Sequence, residues 1–191
     1  SWHAAGGIHA LNADPNMAAL QAYTIDLLSK IEKESGQNIG LHMTGGLTLA
    51  GTPERWEWLQ ANYRVFQSIG IDDCELVSPE DDHKRCPIMS TDGVIGAMWA
   101  DREGYIDTTG TVQAYATAAK KRGAEYYEET KVDALVQTKD GWIVRTDKGD
   151  ITCEHVVNAG GLWAKQVGRM AGIELPVSPL KHHYLVTDTV P

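Results

Sequence analysis

The chain has 191 residues, 42% of them hydrophobic, with a formal net charge of −9. It is long enough for one domain, or a domain plus part of a second, and too apolar for a disordered polymer. The acidic balance argues against nucleic acid, whose phosphates need clustered Lys and Arg, and no apolar run approaches the ~20 residues that span a bilayer. Lys120, Lys121 and Arg122 read as cations at a helix C-terminus. The three cysteines, Cys74, Cys86 and Cys153, are too few and too scattered for a disulfide framework or a zinc motif. A reducing compartment is the simplest inference. Cys153, in an apolar run, reads as a small core residue.

Trp2-His3-Ala4-Ala5-Gly6-Gly7 is a loop of small residues. Its glycines permit close approach of another group to the imidazole, while such a His is also a common hydrogen-bonded structural residue. Asp14-Pro15 is a helix start, with Asp as cap and Pro at the first helical position. Met17, Leu20, Ile25, Leu27, Leu28 and Ile31 form its apolar side, and Gly36 stops it. Residues 39–43 and 46–50 read as strands around Thr44-Gly45-Gly46. His42 faces away from Leu41 and Met43, toward solvent or a cavity.

Thr52-Pro53-Glu54 opens a helix to about Ile69, with Trp56, Leu59, Tyr63 and Phe66 as a core stripe. Glu75, Leu76 and Val77 form a short strand, and Ser78-Pro79-Glu80-Asp81 starts another helix. His83 and Cys86 sit three apart on it, but no second His/Cys pair lies near, so no metal site is expected. Residues 94–100 form a strand; Gly104-Tyr105-Ile106-Asp107 leads into a helix over 109–122, closed by Gly123. Strands follow at 124–127, 132–138 and 142–146, with Asp140-Gly141 as the hairpin turn of the last two.

Residues 151–172 organise the chain. Residues 151–157 read as a strand buried between layers. Asn158-Ala159-Gly160-Gly161 turns the chain into a helix carrying Leu162, Trp163, Val167, Met170 and Ala171 on one face, and Gly172 ends it. Such a turn leaves backbone N–H groups at a positive dipole end, where a ligand can come close. Spacing alone equally describes an ordinary strand–turn–helix. After Pro179, residues 180–187 read as a strand with His182 and Tyr184 on one face and His183 on the other. An edge strand with polar residues outward is the alternative.

The 158–163 run resembles the second flavin-contacting strand of the D-amino-acid-oxidase-like flavoproteins. Ser1-Trp2-His3-Ala4-Ala5-Gly6, Gly104-Tyr105-Ile106-Asp107 and Leu180-Lys181-His182-His183-Tyr184-Leu185-Val186-Thr187 are similar to the dimethylglycine and sarcosine dehydrogenase branch, in order along essentially the whole chain. The resemblance implies a mixed α+β and α/β fold: a substrate lobe with an antiparallel sheet and helices, plus a partial FAD-binding lobe. Residues 1–99 and 176–191 would form the substrate lobe, with the flavin-attachment loop at 1–7, and residues 100–175 the partial FAD lobe.

The implied reaction oxidises the C–N bond of a small N-methylated amino acid by hydride transfer to flavin. FAD would be covalent through His3; His9 is less favoured, lacking a preceding Trp. Val132 through its backbone, and Asn158, Ala159, Gly160, Gly161 and Trp163, would contact the cofactor. His182, His183, Tyr184 and Tyr105 would face the substrate. Folate and an electron-transfer flavoprotein are the implied partners of the parent enzyme, and mitochondrial matrix or bacterial cytoplasm the implied location. This branch carries a Gly-x-Gly-x-x-Gly before the His segment, and none stands here. The chain is therefore expected to be a middle portion of a longer protein, isolated without flavin. The competing expectations are a non-covalent oxidase of another amino acid and a non-enzymatic module that binds a small molecule or a partner chain.

Overall fold

The computed structural model describes residues 4–12 and 14–189, and the chain divides into two compact units at Glu125/Tyr126. In the first, three antiparallel strands β2 (Gly46–Ala50), β3 (Cys74–Val77) and β4 (Gly96–Ala100) form a sheet in the order β2-β4-β3. α2 (Pro53–Ser68) lies on this sheet and closes a core of Ala50, Leu59, Phe66, Cys74, Met98 and Ala100. The expected stripe is the one that packs: Leu59 and Phe66 are buried, and Trp56 and Tyr63 are half-buried against them. Period 3.6 against a flat sheet decides this, because i, i+3 and i+7 face the same way.

A second core joins α1 (Pro15–Ser35) to α4 (Thr108–Lys121) through Leu28, Ile31, Ile39, Ala114 and Ala118. α1 begins where Asp14 accepts from the Asn16 and Met17 amides at 2.9 Å each, and it ends at Gly36 in the left-handed conformation. Its buried side is narrower than the sequence implies, since Met17 and Leu20 remain exposed. α4 starts one residue earlier than expected because Asp107 caps it, accepting from Thr109 N at 2.9 Å. α3 (Pro79–Arg85) is capped by Ser78 as expected. A short ribbon, β1 (Gly7–Ile8) with β5 (Gly104–Tyr105), completes the unit. Of the strand expected at 39–43, only an isolated bridge from His42 to Tyr105 forms; Ile39 O accepts from Asp107 N at 2.8 Å, and no ladder runs along the stretch among the described residues.

The second unit is an antiparallel meander, β6 (Val132–Gln137), β7 (Trp142–Thr146) and β8 (Gly149–Cys153), followed by a 3-10 turn (Gly161–Trp163) and α5 (Ala164–Met170). The expected turn at Asp140-Gly141 is present, with Thr138 N donating to Gly141 O at 2.9 Å. Three expectations are corrected. Residues 151–157 are not a buried strand: β8 stops at Cys153, is the edge of the meander and is mostly exposed. Residues 124–127 and 180–187 carry no strand. Alternating apolar residues make a strand only where a neighbour supplies a hydrogen-bonded ladder, and no described strand pairs with either stretch. No described helix is long and apolar enough to cross a membrane.

Candidate active site

In the first unit, two stretches distant in sequence converge on the segment around Tyr105. His42 N donates to Tyr105 O at 2.9 Å and Tyr105 N donates to His42 O at 3.0 Å. Their rings stack at 4.8 Å between centroids. His42 therefore takes neither a buried place nor a free one: it is exposed and lies flat on the tyrosine. On the other side, Tyr105 pairs with Gly7, and Ile106 N donates to Gly6 O at 2.9 Å. Gly6 has φ 84, and a Cβ there would stand 2.3 Å from Ile106 O, so only glycine permits the approach. His9 Nδ1 then meets Glu103 Oε2 at 3.0 Å. The loop that follows His3 is thus tied to residues 103–106; His3 itself lies outside the described residues.

The His42–Tyr105 stack and the His9–Glu103 pair were not foreseen from sequence. Each joins residues more than sixty positions apart, and only the acidic residue before Gly104-Tyr105 hinted at one of them.

In the second unit, Val132 opens β6 opposite Thr146, and the register slips between Val132 and Ala134. The 158–163 turn is built by Asn158, whose Oδ1 accepts from Gly160 N at 3.1 Å while its Nδ2 donates to Ala164 O at 2.8 Å. Both ends of the amide are committed to the turn, so Asn158 shapes the backbone. Ala159 is exposed beside it. Gly161, φ 53, faces open space on its Cβ side. Val157, Leu162 and Trp163 stand exposed around it. The turn thus leaves an open glycine backbone and exposed apolar side chains at neighbouring positions in sequence.

Beneath the turn, a cavity of about 390 Å³ is bounded by Leu135, Trp142, Val156, Asn158, Val167 and Ile173, among others. His182, His183 and Tyr184 lie exposed in an irregular stretch, outside this lining and with no hydrogen bond among the described residues. Tyr105 belongs to the first unit and these three to the second.

Electrostatically, the first unit holds two perturbed buried groups. Burial pushes the Cys74 thiol up to about 11, helped by the neighbouring Asp73. Burial also raises the Asp82 carboxyl above its ordinary value. Neither lies at the His42–Tyr105 or Asn158–Trp163 positions; both are packing features.

The profile of the FAD dependent oxidoreductase family matches residues 1–191. Among curated proteins, the chain is 32% identical over its whole length to a mitochondrial dimethylglycine dehydrogenase of Rattus norvegicus, covering 22% of that protein. It is 31% identical over its whole length to a mitochondrial sarcosine dehydrogenase of Mus musculus, covering 21%. The chain thus spans about a fifth of the length of these relatives. Among solved structures, an L-proline dehydrogenase from P. horikoshii superposes with a TM-score of 0.81 at 28% identity, over 91% of this chain and 46% of that one. A match to the family along every residue and a fold shared with a solved dehydrogenase agree: the chain belongs to the FAD dependent oxidoreductase family.

Proposed function

We propose that the chain is part of an enzyme that oxidises the C–N bond of a small N-methylated amino acid, of the dimethylglycine or sarcosine kind. The observation that carries this reading is the end-to-end match to two dehydrogenases named for those amines, with the loop after His3 tied to the Tyr105 segment. Residues 1–99 and 176–191 then serve the substrate and residues 100–175 the cofactor. In this scheme the compact units are packing units, and α4 anchors the start of the cofactor segment on α1.

Bound flavin supplies the acceptor for a hydride leaving the N-methyl carbon. His3 holds that group through a ring nitrogen, and the Asn158–Trp163 turn, with Ala159, Gly160 and Gly161, offers it open backbone beside Trp163. Val132 contributes backbone only. An ammonium has no lone pair to support hydride loss, so the substrate must reach the site as the neutral amine. Tyr105, Tyr184, His182 and His183 orient it and disfavour its protonated form. Departure of the hydride leaves an iminium. Water adds to it and the C–N bond breaks, giving the demethylated amine, formaldehyde and a proton; a folate carrier can take the one-carbon unit instead. An electron-transfer flavoprotein would be the parent enzyme's electron acceptor. The enclosing compartment is the mitochondrial matrix, or the cytoplasm of a bacterium.

The test uses the full-length protein, wild type and His3→Ala, with flavin fluorescence read on a denaturing gel and turnover of dimethylglycine, sarcosine and proline compared. Fluorescence that survives denaturation in wild type and disappears in the variant, with the N-methylated substrates preferred, is the expected result. Flavin that washes out of the wild type removes the covalent link and favours a non-covalent oxidase. Binding of the amine without flavin or turnover would replace the enzyme reading with a binding module.

A further inference from the structure

We propose that Glu103 and His9 form a clamp that sets the position of the loop carrying His3, which makes both of them positioning residues for cofactor attachment. The inference rests on the reading of His3 given above. Glu103 is only 5% exposed, and both its side chain and its backbone meet neighbouring residues. Its Oε2 lies 3.0 Å from His9 Nδ1. Its side chain rests on Gly46, where a Cβ would stand 2.1 Å from Oε2, and its backbone carbonyl accepts from Gly45 N at 2.9 Å. Glu103 is thus seated against the Gly45–Gly46 start of β2.

His9, by contrast, has a largely exposed side chain and gains its position only from what it bonds. With Nδ1 turned toward Glu103, the other nitrogen, Nε2, stands on the far side of the ring. That nitrogen turns back over Gly7, where a Cβ would lie 3.2 Å away. Within residues 6–9 the loop therefore has three ties to residues 103–106: the β1–β5 ladder, the Ile106 N to Gly6 O bond, and the imidazole–carboxylate bond. A two-residue ribbon is marginal by itself. A hydrogen bond to a buried carboxylate is stronger than a neutral one, and breaking it would leave that carboxylate buried without its partner. The third tie is therefore the one that fixes the loop.

The experiment compares wild type, His9→Ala and His9→Asn in the full-length protein. Asparagine places an amide donor close to where Nδ1 stands. Two quantities are read: hydrogen exchange of the amides of residues 4–8, and flavin that stays attached on a denaturing gel. His9→Ala should speed exchange at 4–8 on the order of tenfold, leave α1 and α2 unchanged and lower attached flavin, and His9→Asn should restore both. Unchanged exchange at 4–8 in His9→Ala overturns the clamp, as does faster exchange with attachment intact. If the wild type carries no covalent flavin, the reading of His3 fails, and the clamp is judged on exchange together with retained non-covalent flavin. Faster exchange at 4–8 together with loss of that flavin in His9→Ala upholds it, and unchanged exchange or equal retention sinks it.

Discussion

Replacing Asp82 with leucine should stabilise the first unit, and should do so more at neutral pH than in acid. Asp82 lies in the α3 segment with 0% exposure, and among the described residues neither Oδ1 nor Oδ2 has a hydrogen-bond partner. Burial is the main cause of its raised pKa, Arg85 pulls the other way, and Asp81 adds to the rise. Because the folded protein favours the neutral acid, the residue's contribution is most favourable below its unfolded value of 3.8 and is lost as pH climbs through the higher folded one. At neutral pH the chain must keep a proton there or bury a bare charge.

An unpartnered buried polar group costs about 1–3 kcal/mol. The carboxylate's favourable place near the N-terminus of α3 returns roughly 0.3–1 kcal/mol of that at most. Leucine has the same heavy-atom branching without a polar atom but with bulkier methyl groups, so where α3 shifts to admit them the net gain expected at pH 7 is about 1–2 kcal/mol, or several degrees in Tm for a unit of this size. Urea unfolding followed by tryptophan fluorescence, at pH 7 and near pH 4, measures it. The gain should shrink as pH falls toward 3.8, and Asp82→Asn should recover only the part owed to charge. A leucine variant no more stable than wild type at pH 7, or a gain equal at both pH values, would refute the description of Asp82 as buried and unpartnered.

Two further outcomes follow from local geometry. Asp107→Ala removes the α4 cap, which accepts from Thr109 N, and should cost about 1 kcal/mol; Asp107→Asn should recover most of it, as thermal unfolding of the two variants would show. Cys74 is buried with its thiol raised to about 11, so at pH 8 an alkylating reagent should label Cys86 and Cys153 first and reach Cys74 only on unfolding. Mass spectrometry of the labelled peptides checks the order.

Sequence by itself determined the parts whose causes are local. Asp14, Thr52 and Ser78 each precede a proline and cap a helix, and Gly36 stops one, because these depend on backbone dihedrals and amides within a few residues. The Leu59–Phe66 stripe was legible for the same reason: a helical period declares its own buried side. Family membership was legible too, since short runs such as Trp2-His3 and Asn158–Trp163 stand in a recognisable order.

Tertiary structure decided what depends on a neighbour. The stretches at 151–157 and 180–187 read as strands, yet of their residues only 151–153 pair, because a strand exists only beside another. Tyr105 is read from its motif, but its stack on His42 is not, nor is the buried carboxylate of Glu103 beneath His9. Those contacts join stretches more than sixty residues apart, and the energy of each comes from burial and pairing that no local pattern records. Helix caps are written in the chain, whereas the neighbours of a side chain are chosen when the chain folds.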